Sequence, residues 1–180
     1  MAKRVFKADL SQKGMLSLQR QLRNYRDVTL PQKCKELVLR LSQIGVNTAK
    51  IHVGESPLGK YVELKTDLIP GKSGCIAFVI ATGQSMESEG REPFNTLLAI
   101  EFGSGIYHNQ QANPKSEKLG YGVGTFPGQI HAFEEGWYYW DEKSQEWRYT
   151  HGVKATMPMH NASVKIIESV RKIALDVFSS

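Results

Sequence analysis

Cysteine is scarce in this 180-residue chain: Cys34 and Cys75 stand alone, with no C-x-x-C pair and no Cys/His cluster at zinc spacing. That excludes a disulfide framework and a structural zinc site of the usual kind, and predicts two reduced, buried thiols in a reducing compartment. Uninterrupted apolar runs of about 18 residues are missing too, which excludes a spanning helix. Near the N-terminus Lys7, Asp9, Gln12 and Lys13 occupy the place of a signal peptide's apolar core, so a soluble chain made in a cytoplasm is expected. No internal repeat and no low-complexity tract occurs, which sets solenoids and long linkers aside. The five histidines, His52, His108, His131, His151 and His160, form no H-x-x-x-H or H-E-x-x-H spacing. His151 and His160 straddle Pro158 and are weak metal candidates.

Signatures of catalysis are equally thin. Gly120, Gly122 and Gly124 form a GYGVG string, but no strand precedes it, no helix follows, and no lysine stands where a phosphate-cradling loop needs one. Ser104 lies between two glycines, yet Phe102 replaces the first glycine of a nucleophile elbow. Carboxylates near Trp137, Trp140 and Trp147 invite a glycosidase reading, but nothing singles out two of them as an acid and base pair. No catalytic, cofactor-binding or metal-binding residue is assigned, and no cofactor is expected.

Charge is present and unevenly placed. The net charge is +5, and Lys3, Arg4, Lys7, Lys13, Arg20, Arg23, Arg26, Lys33, Lys35, Arg40 and Lys50 crowd the first fifty positions. Acidic residues gather later: Glu87, Glu89, Glu92, Glu101, Glu117, Glu134, Glu135, Asp141, Glu142 and Glu146. Such polarity suits either contact with nucleic acid or head-to-tail packing of identical subunits.

Periodicity predicts one α+β domain over 1–180, with a helical part at 1–46, a β-sheet region at 47–155 and a C-terminal helix at 156–180 packed on the sheet. Met15, Leu18, Leu22 and Tyr25 mark a first amphipathic helix, with Asp9 or Ser11 as its cap. Cys34, Leu37, Val38, Leu41 and Ile44 mark a second, opened by Pro31 and ended by Gly45. The two form either an αα-hairpin or one long kinked arm. Extended segments are expected at 50–53, 60–65, 75–80 and 96–102, in an antiparallel meander, and an aromatic hairpin is expected from Trp137–Trp140 and Glu146–Tyr149. Residues 106–127 make a long polar loop. The last helix starts near Met159 or Asn161 and presents Ala162, Ile166, Ile167, Val170, Ile173, Ala174 and Val177 inward.

Three segments, Leu98-Ala99-Ile100-Glu101-Phe102-Gly103-Ser104-Gly105, the pair Gly136-Trp137-Tyr138-Tyr139 and Trp147-Arg148-Tyr149-Thr150-His151-Gly152, and Ala155-Thr156-Met157-Pro158-Met159-His160-Asn161-Ala162, stand in one order. Together with the N-terminal helices, this layout resembles the head-tail joining, or tail-completion, neck proteins of lambdoid-type siphophages. Glu101, Phe102, Gly103, Gly105, Trp137, Trp147, Gly152 and Pro158 are then the fold-determining residues. The resemblance implies a non-enzymatic virion protein made in the host bacterial cytoplasm. It would form a ring, six-fold by the family pattern, between capsid connector and tail tube, with genomic DNA passing through the lumen without sequence specificity and no membrane contact. The expected partners are further copies of itself, adjacent neck or connector proteins, and tail tube or tail terminator proteins. Candidate interface residues are Arg20, Arg23 and Arg26 on the first helix, and Tyr107, Lys115, Lys118, Tyr121 and Phe126 in the loop. A tail terminator, or a nucleic-acid-binding module using the basic helices, are the alternatives.

Overall fold

A computed structural model describes residues 6–7, 9–71, 74–88, 91–107, 137–141 and 144–179. The GYGVG string and the loop candidates Lys115, Lys118, Tyr121 and Phe126 lie outside the described residues.

Helix α1 (Gln12–Asn24) is capped by Ser11, whose Oγ accepts from the Gly14 N–H at 3.1 Å. It does not end in a turn. A π-helical stretch, Tyr25–Thr29, carries the chain directly into α2 (Leu30–Gly54), so the arrangement is a continuous helical arm and not an αα-hairpin. Pro31 supplies the reason for the wider turn. It has no N–H for the carbonyl four residues back and its ring crowds that carbonyl, and a π turn relieves both.

The helix expected to stop at Gly45 runs on through 50–53, the segment expected to be extended. Ser42, Gly45, Val46, Ala49 and Val53 form one buried stripe of helical period, which the end assigned at Gly45 obscured. Gly45 serves packing, not termination. A methyl group on its Cα would lie 2.6 Å from Ile166 Cδ1 and 3.1 Å from Val79 Cγ2, so three elements close on it.

Those elements are α2, the C-terminal helix α4 (Pro158–Ser179) and a hairpin of β1 (Val62–Pro70) with β2 (Cys75–Gly83). The hairpin is antiparallel, pairing Val62 with Gly83 through Pro70 with Cys75. Its face bearing Leu64, Leu68, Ala77 and Val79 turns toward α2, while Ile69, Ile76 and Phe78 on the other face are exposed. Helix α4 packs chiefly along α2 and meets the hairpin at Gly45, giving an α+β fold with helices against a sheet. Lys33 lies at the end of α4 and Gly45 near its first half, so α2 and α4 are antiparallel.

In place of one meander, the described strands form three separate two-stranded sheets. The second is β3 (Ser85–Ser88) with β4 (Arg91–Asn95), and the third is β5 (Trp137–Asp141) with β6 (Glu146–Thr150), the expected aromatic hairpin. The segment 96–102, expected as a strand, is helix α3 (Thr96–Phe102). A short apolar run does not distinguish strand from buried helix by period. The deciding residue precedes it: Asn95 Oδ1 accepts from the Leu97 and Leu98 N–H groups at 3.0 and 3.2 Å, a helix cap.

The core comprises Val46, Ala49 and Val53 of α2, Ala99, Ile100 and Phe102 of α3, and Ala162 and Val177 of α4. Each large member, such as Ile100, contributes about 1.5–3 kcal/mol by leaving water. Contrary to expectation, Ile167 and Val170 point outward on α4, Ile167 being 70% exposed, and Cys34 and Cys75 are only half-buried. Inward positions on α4 follow Ala162, Ile166, Ile173, Ala174 and Val177. Among the described residues no helix is long and apolar enough to cross a membrane.

Because the α2–α4 seam closes over a hydrogen atom at Gly45, a branched side chain there forces the helices apart. Gly45→Val is expected to lower the unfolding free energy by about 1–3 kcal/mol, read as a lower urea midpoint at constant slope.

Candidate functional site

Residues 101–105 are all buried, and they meet the chain again some fifty residues later. Glu101, at the end of α3, is only 7% exposed, and burying a carboxylate is costly unless it is satisfied. Its two oxygens accept from the N–H groups of Met159 at 2.9 Å and His160 at 3.0 Å, the first turn of α4. The positive end of the helix dipole reinforces these charge-assisted bonds. Every backbone donor of that first turn is thereby accounted for. Pro158 has none to offer, and the Asn161 N–H bonds to the Met157 carbonyl at 3.0 Å.

The rest of the segment is fastened with equal economy. The Ile100 carbonyl accepts from the Thr156 N–H at 2.9 Å, and the Ser104 N–H donates to the Val153 carbonyl at 2.8 Å while Ser104 Oγ accepts from the Val153 N–H at 2.9 Å. Ser104 is thus buried in a reciprocal pair with Val153. Gly103 (φ 75°) and Gly152 (φ 104°) occupy conformations that side chains disfavour. A methyl on Gly103 would meet the Tyr107 carbonyl oxygen at 2.3 Å, and one on Gly152 would meet that of Ser104 at 2.1 Å. Gly105 also has positive φ, at 62°.

Of the eight residues singled out as fold-determining, the structure therefore gathers Glu101, Phe102, Gly103, Gly105, Gly152 and Pro158 into one clasp at the head of α4. Trp137 and Trp147 belong to the β5–β6 hairpin instead, and Trp147 is 64% exposed. Sequence reasoning missed two members of the framework. The Ser104–Val153 pair left no local signal, since its partners are 49 residues apart. Lys33, whose Nζ donates to the Val177 carbonyl at 2.6 Å, holds the negative end of α4 as Glu101 holds the positive end.

The Glu101 carboxylate and the Ser104 hydroxyl are bonded to backbone partners, whereas Thr156 Oγ1 is buried without a hydrogen-bond partner among the described residues. Among the described residues no group of three or more His, Cys, Asp or Glu could hold a metal ion. What the molecule displays is surface. No residue of α1 is buried, and Leu10, Met15, Leu16 and Leu22 are exposed beside Lys13, Arg20 and Arg23, with no acidic residue in the helix. Phe6 folds back edge-on to Tyr25, their ring centroids 5.8 Å apart. Of the three candidate arginines, Arg20 and Arg23 point to solvent, whereas Arg26 pairs with Asp27 at 2.6 Å. Arg26's hydrogen bonds hold the Asp27 carboxyl below the usual carboxylate range. Tyr107 is exposed beside the clasp.

The β5–β6 hairpin is the second surface. Tyr138 and Tyr149 are register partners whose rings meet edge-on at 5.0 Å, and Tyr149 meets His151 in the same way at 5.0 Å. Trp147 lies two residues from Tyr149, hence on the same face. On the opposite face Arg148 pairs with Asp141 at 3.1 Å.

The chain significantly matches no protein-family model, no curated protein and no solved structure.

If Glu101 organises the clasp, Glu101→Ala, which strands two buried N–H groups, is expected to cost about 3 kcal/mol. Glu101→Gln, keeping one acceptor without the charge, should cost roughly half of that by the same reasoning. Denaturant unfolding measures both, and amide exchange at Met159 and His160 should quicken first. Gly152→Ala is expected to cost more than about 3 kcal/mol, because positive φ and collision with backbone add; equal stability of this variant and the parent would refute the clasp geometry.

Proposed function

We propose that this chain is a structural subunit of a tailed-phage virion, a head-tail connector of the tail-completion kind. In this reading identical copies close into a ring, six-fold by the resemblance, between capsid connector and tail tube, and genomic DNA passes through the lumen. The single observation that carries the proposal is the convergence of matched segments that are distant in sequence. Leu98–Gly105 meets Ala155–Ala162 through Glu101, which accepts from Met159 and His160, and meets Gly152 of the hairpin segment where backbone packs on backbone. Residues that resemble a family's motif and jointly determine one local fold are better support than matches scattered over a surface.

Two further features favour a protein that works through contacts. The basic helix α1 has no buried residue, and apolar side chains are exposed on α1, on the outer face of β1–β2 and on the aromatic hairpin. Patches of this kind mark interaction sites more often than idle surface. A tail terminator, which also forms a ring at the neck, fits the same features.

The exposed Lys13, Arg20 and Arg23 favour one reading of a different class, a nucleic-acid-binding module. It requires affinity for duplex DNA that falls steeply as salt rises.

Cryo-electron microscopy of virions of the encoding phage separates these readings. A closed ring of this chain at the portal-to-tail junction is the expected result. A complete neck from which the chain is absent would overturn it and favour the nucleic-acid reading, which titration of the purified protein with DNA at two salt concentrations then checks.

A further inference from the structure

Strand β1 is paired along one side only. Among the described residues its sole hydrogen-bonded neighbour is β2, α2 packs beneath it, and its other edge runs open over Val62–Pro70. Such an edge presents a row of N–H and C=O groups that another strand can take up. The outer edge of β2 is less available, because α3 packs against its end, where a methyl on Gly83 would meet the Leu97 nitrogen at 2.5 Å.

Edge strands commonly carry charge to discourage pairing. Here the charges have both signs and stand symmetrically: Lys65 and Asp67 flank Thr66, and Leu64 and Leu68 flank them in turn. Lys65 and Asp67 are on the exposed face of the hairpin, and neither enters an ion pair among the described residues. Leu64 and Leu68 are half-buried on the face toward α2.

We infer that two copies of this chain pair along β1, antiparallel about Thr66, to make one four-stranded sheet in the order β2-β1-β1-β2. In this register Lys65 of each copy faces Asp67 of the other on the exposed face, and Leu64 faces Leu68 on the inner face. Val62 faces Pro70, so both edges are used over their whole length. The proposal goes beyond the connector reading and is independent of it.

Charge selects both the partner and the register. Antiparallel partners must turn their hydrogen-bonding groups toward each other, so the axis of pairing moves along the strand by whole residues. Centred on Lys65, the pairing sets Lys65 against Lys65 and Glu63 against Asp67; centred on Asp67, it sets Asp67 against Asp67. Like charges directly opposite destabilise a strand pair, and opposite charges stabilise it. The complement of this edge, centred on Thr66, is therefore the same edge of a second copy.

The helices allow the approach. Both copies of α2 fall on one face of the joined sheet, and the two hairpins stand two strand spacings apart, about 9.5 Å, a distance at which helices pack side by side. Helix α4 reaches the sheet at Val79 of β2, the strand away from the axis. The contact is isologous and closes at two copies, so it belongs to the free protein and differs from the propagating contact of a ring.

Sedimentation velocity of the full chain, from micromolar to near-millimolar concentration at low salt, tests the pairing. The parent is expected to form a dimer that weakens as salt is raised. Lys65→Asp sets Asp against Asp67 twice, and Asp67→Lys sets Lys against Lys65 twice. Each variant alone should dimerise about 10-fold more weakly or worse, with an unchanged circular dichroism spectrum. Mixed in equal amounts, the two variants are complementary at both positions, and a dimer containing one of each should return near parental affinity. Both variants remain net positive, so general attraction between them does not produce that recovery. A parent that stays monomeric throughout would overturn the proposal. So would self-association that either variant leaves intact or that the mixture fails to restore, and an assembly of six copies in place of two would overturn it in favour of ring contacts.

Discussion

A carboxylate buried at the end of one helix and spent on the first turn of another is the constraint around which this fold is arranged. Glu101 can be buried because Met159 and His160 present N–H groups to both its oxygens, and α4 can begin there because those donors would otherwise lack partners. The interaction fixes the position and the direction of α4. Once α4 is anchored at its head by Glu101 and at its tail by Lys33, it must lie antiparallel along α2. The small residues Ser42, Gly45 and Ala49 on α2 then let the two helices approach closely.

The glycines of the clasp follow from the same constraint. To bring α3 and α4 end to end, the chain after Phe102 must turn within van der Waals reach of the chain after Thr150. Gly103 and Gly152 are the positions where backbone meets backbone, at separations that leave no room for a Cβ. The strain is met by hydrogen bonding, since Ser104 and Val153 satisfy each other twice.

The helical arm extends the body by roughly 20 Å, at 1.5 Å per residue of α1, and carries the basic charge. The aromatic hairpin lies in the most acidic stretch of the sequence. Helix α1, without buried residues, is joined through a π turn to a helix that is part of the core.

The sequence alone determined the α+β class, the presence of the first two helices though not the end of the second, the aromatic hairpin, and a last helix starting within a few residues of Pro158, because each has a local signal of period, cap or turn. It also picked out Glu101, Gly103, Gly105 and Gly152 as positions that matter, through residue type and order. Tertiary structure decided the rest. Gly45 reads locally as a helix end, and only the presence of Ile166 and Val79 shows why glycine stands inside a helix. Segment 96–102 has too short a period to betray its state, and burial on every side makes strand and helix look alike until Asn95 is seen capping it. Ile167 and Val170 fit the inward pattern of α4, yet which face is covered depends on α2, more than a hundred residues away. The partnership of Glu101 with α4 spans 58 residues. Local sequence specifies propensity and pattern, whereas the pairing of a buried charge with its donors is a property of the folded chain.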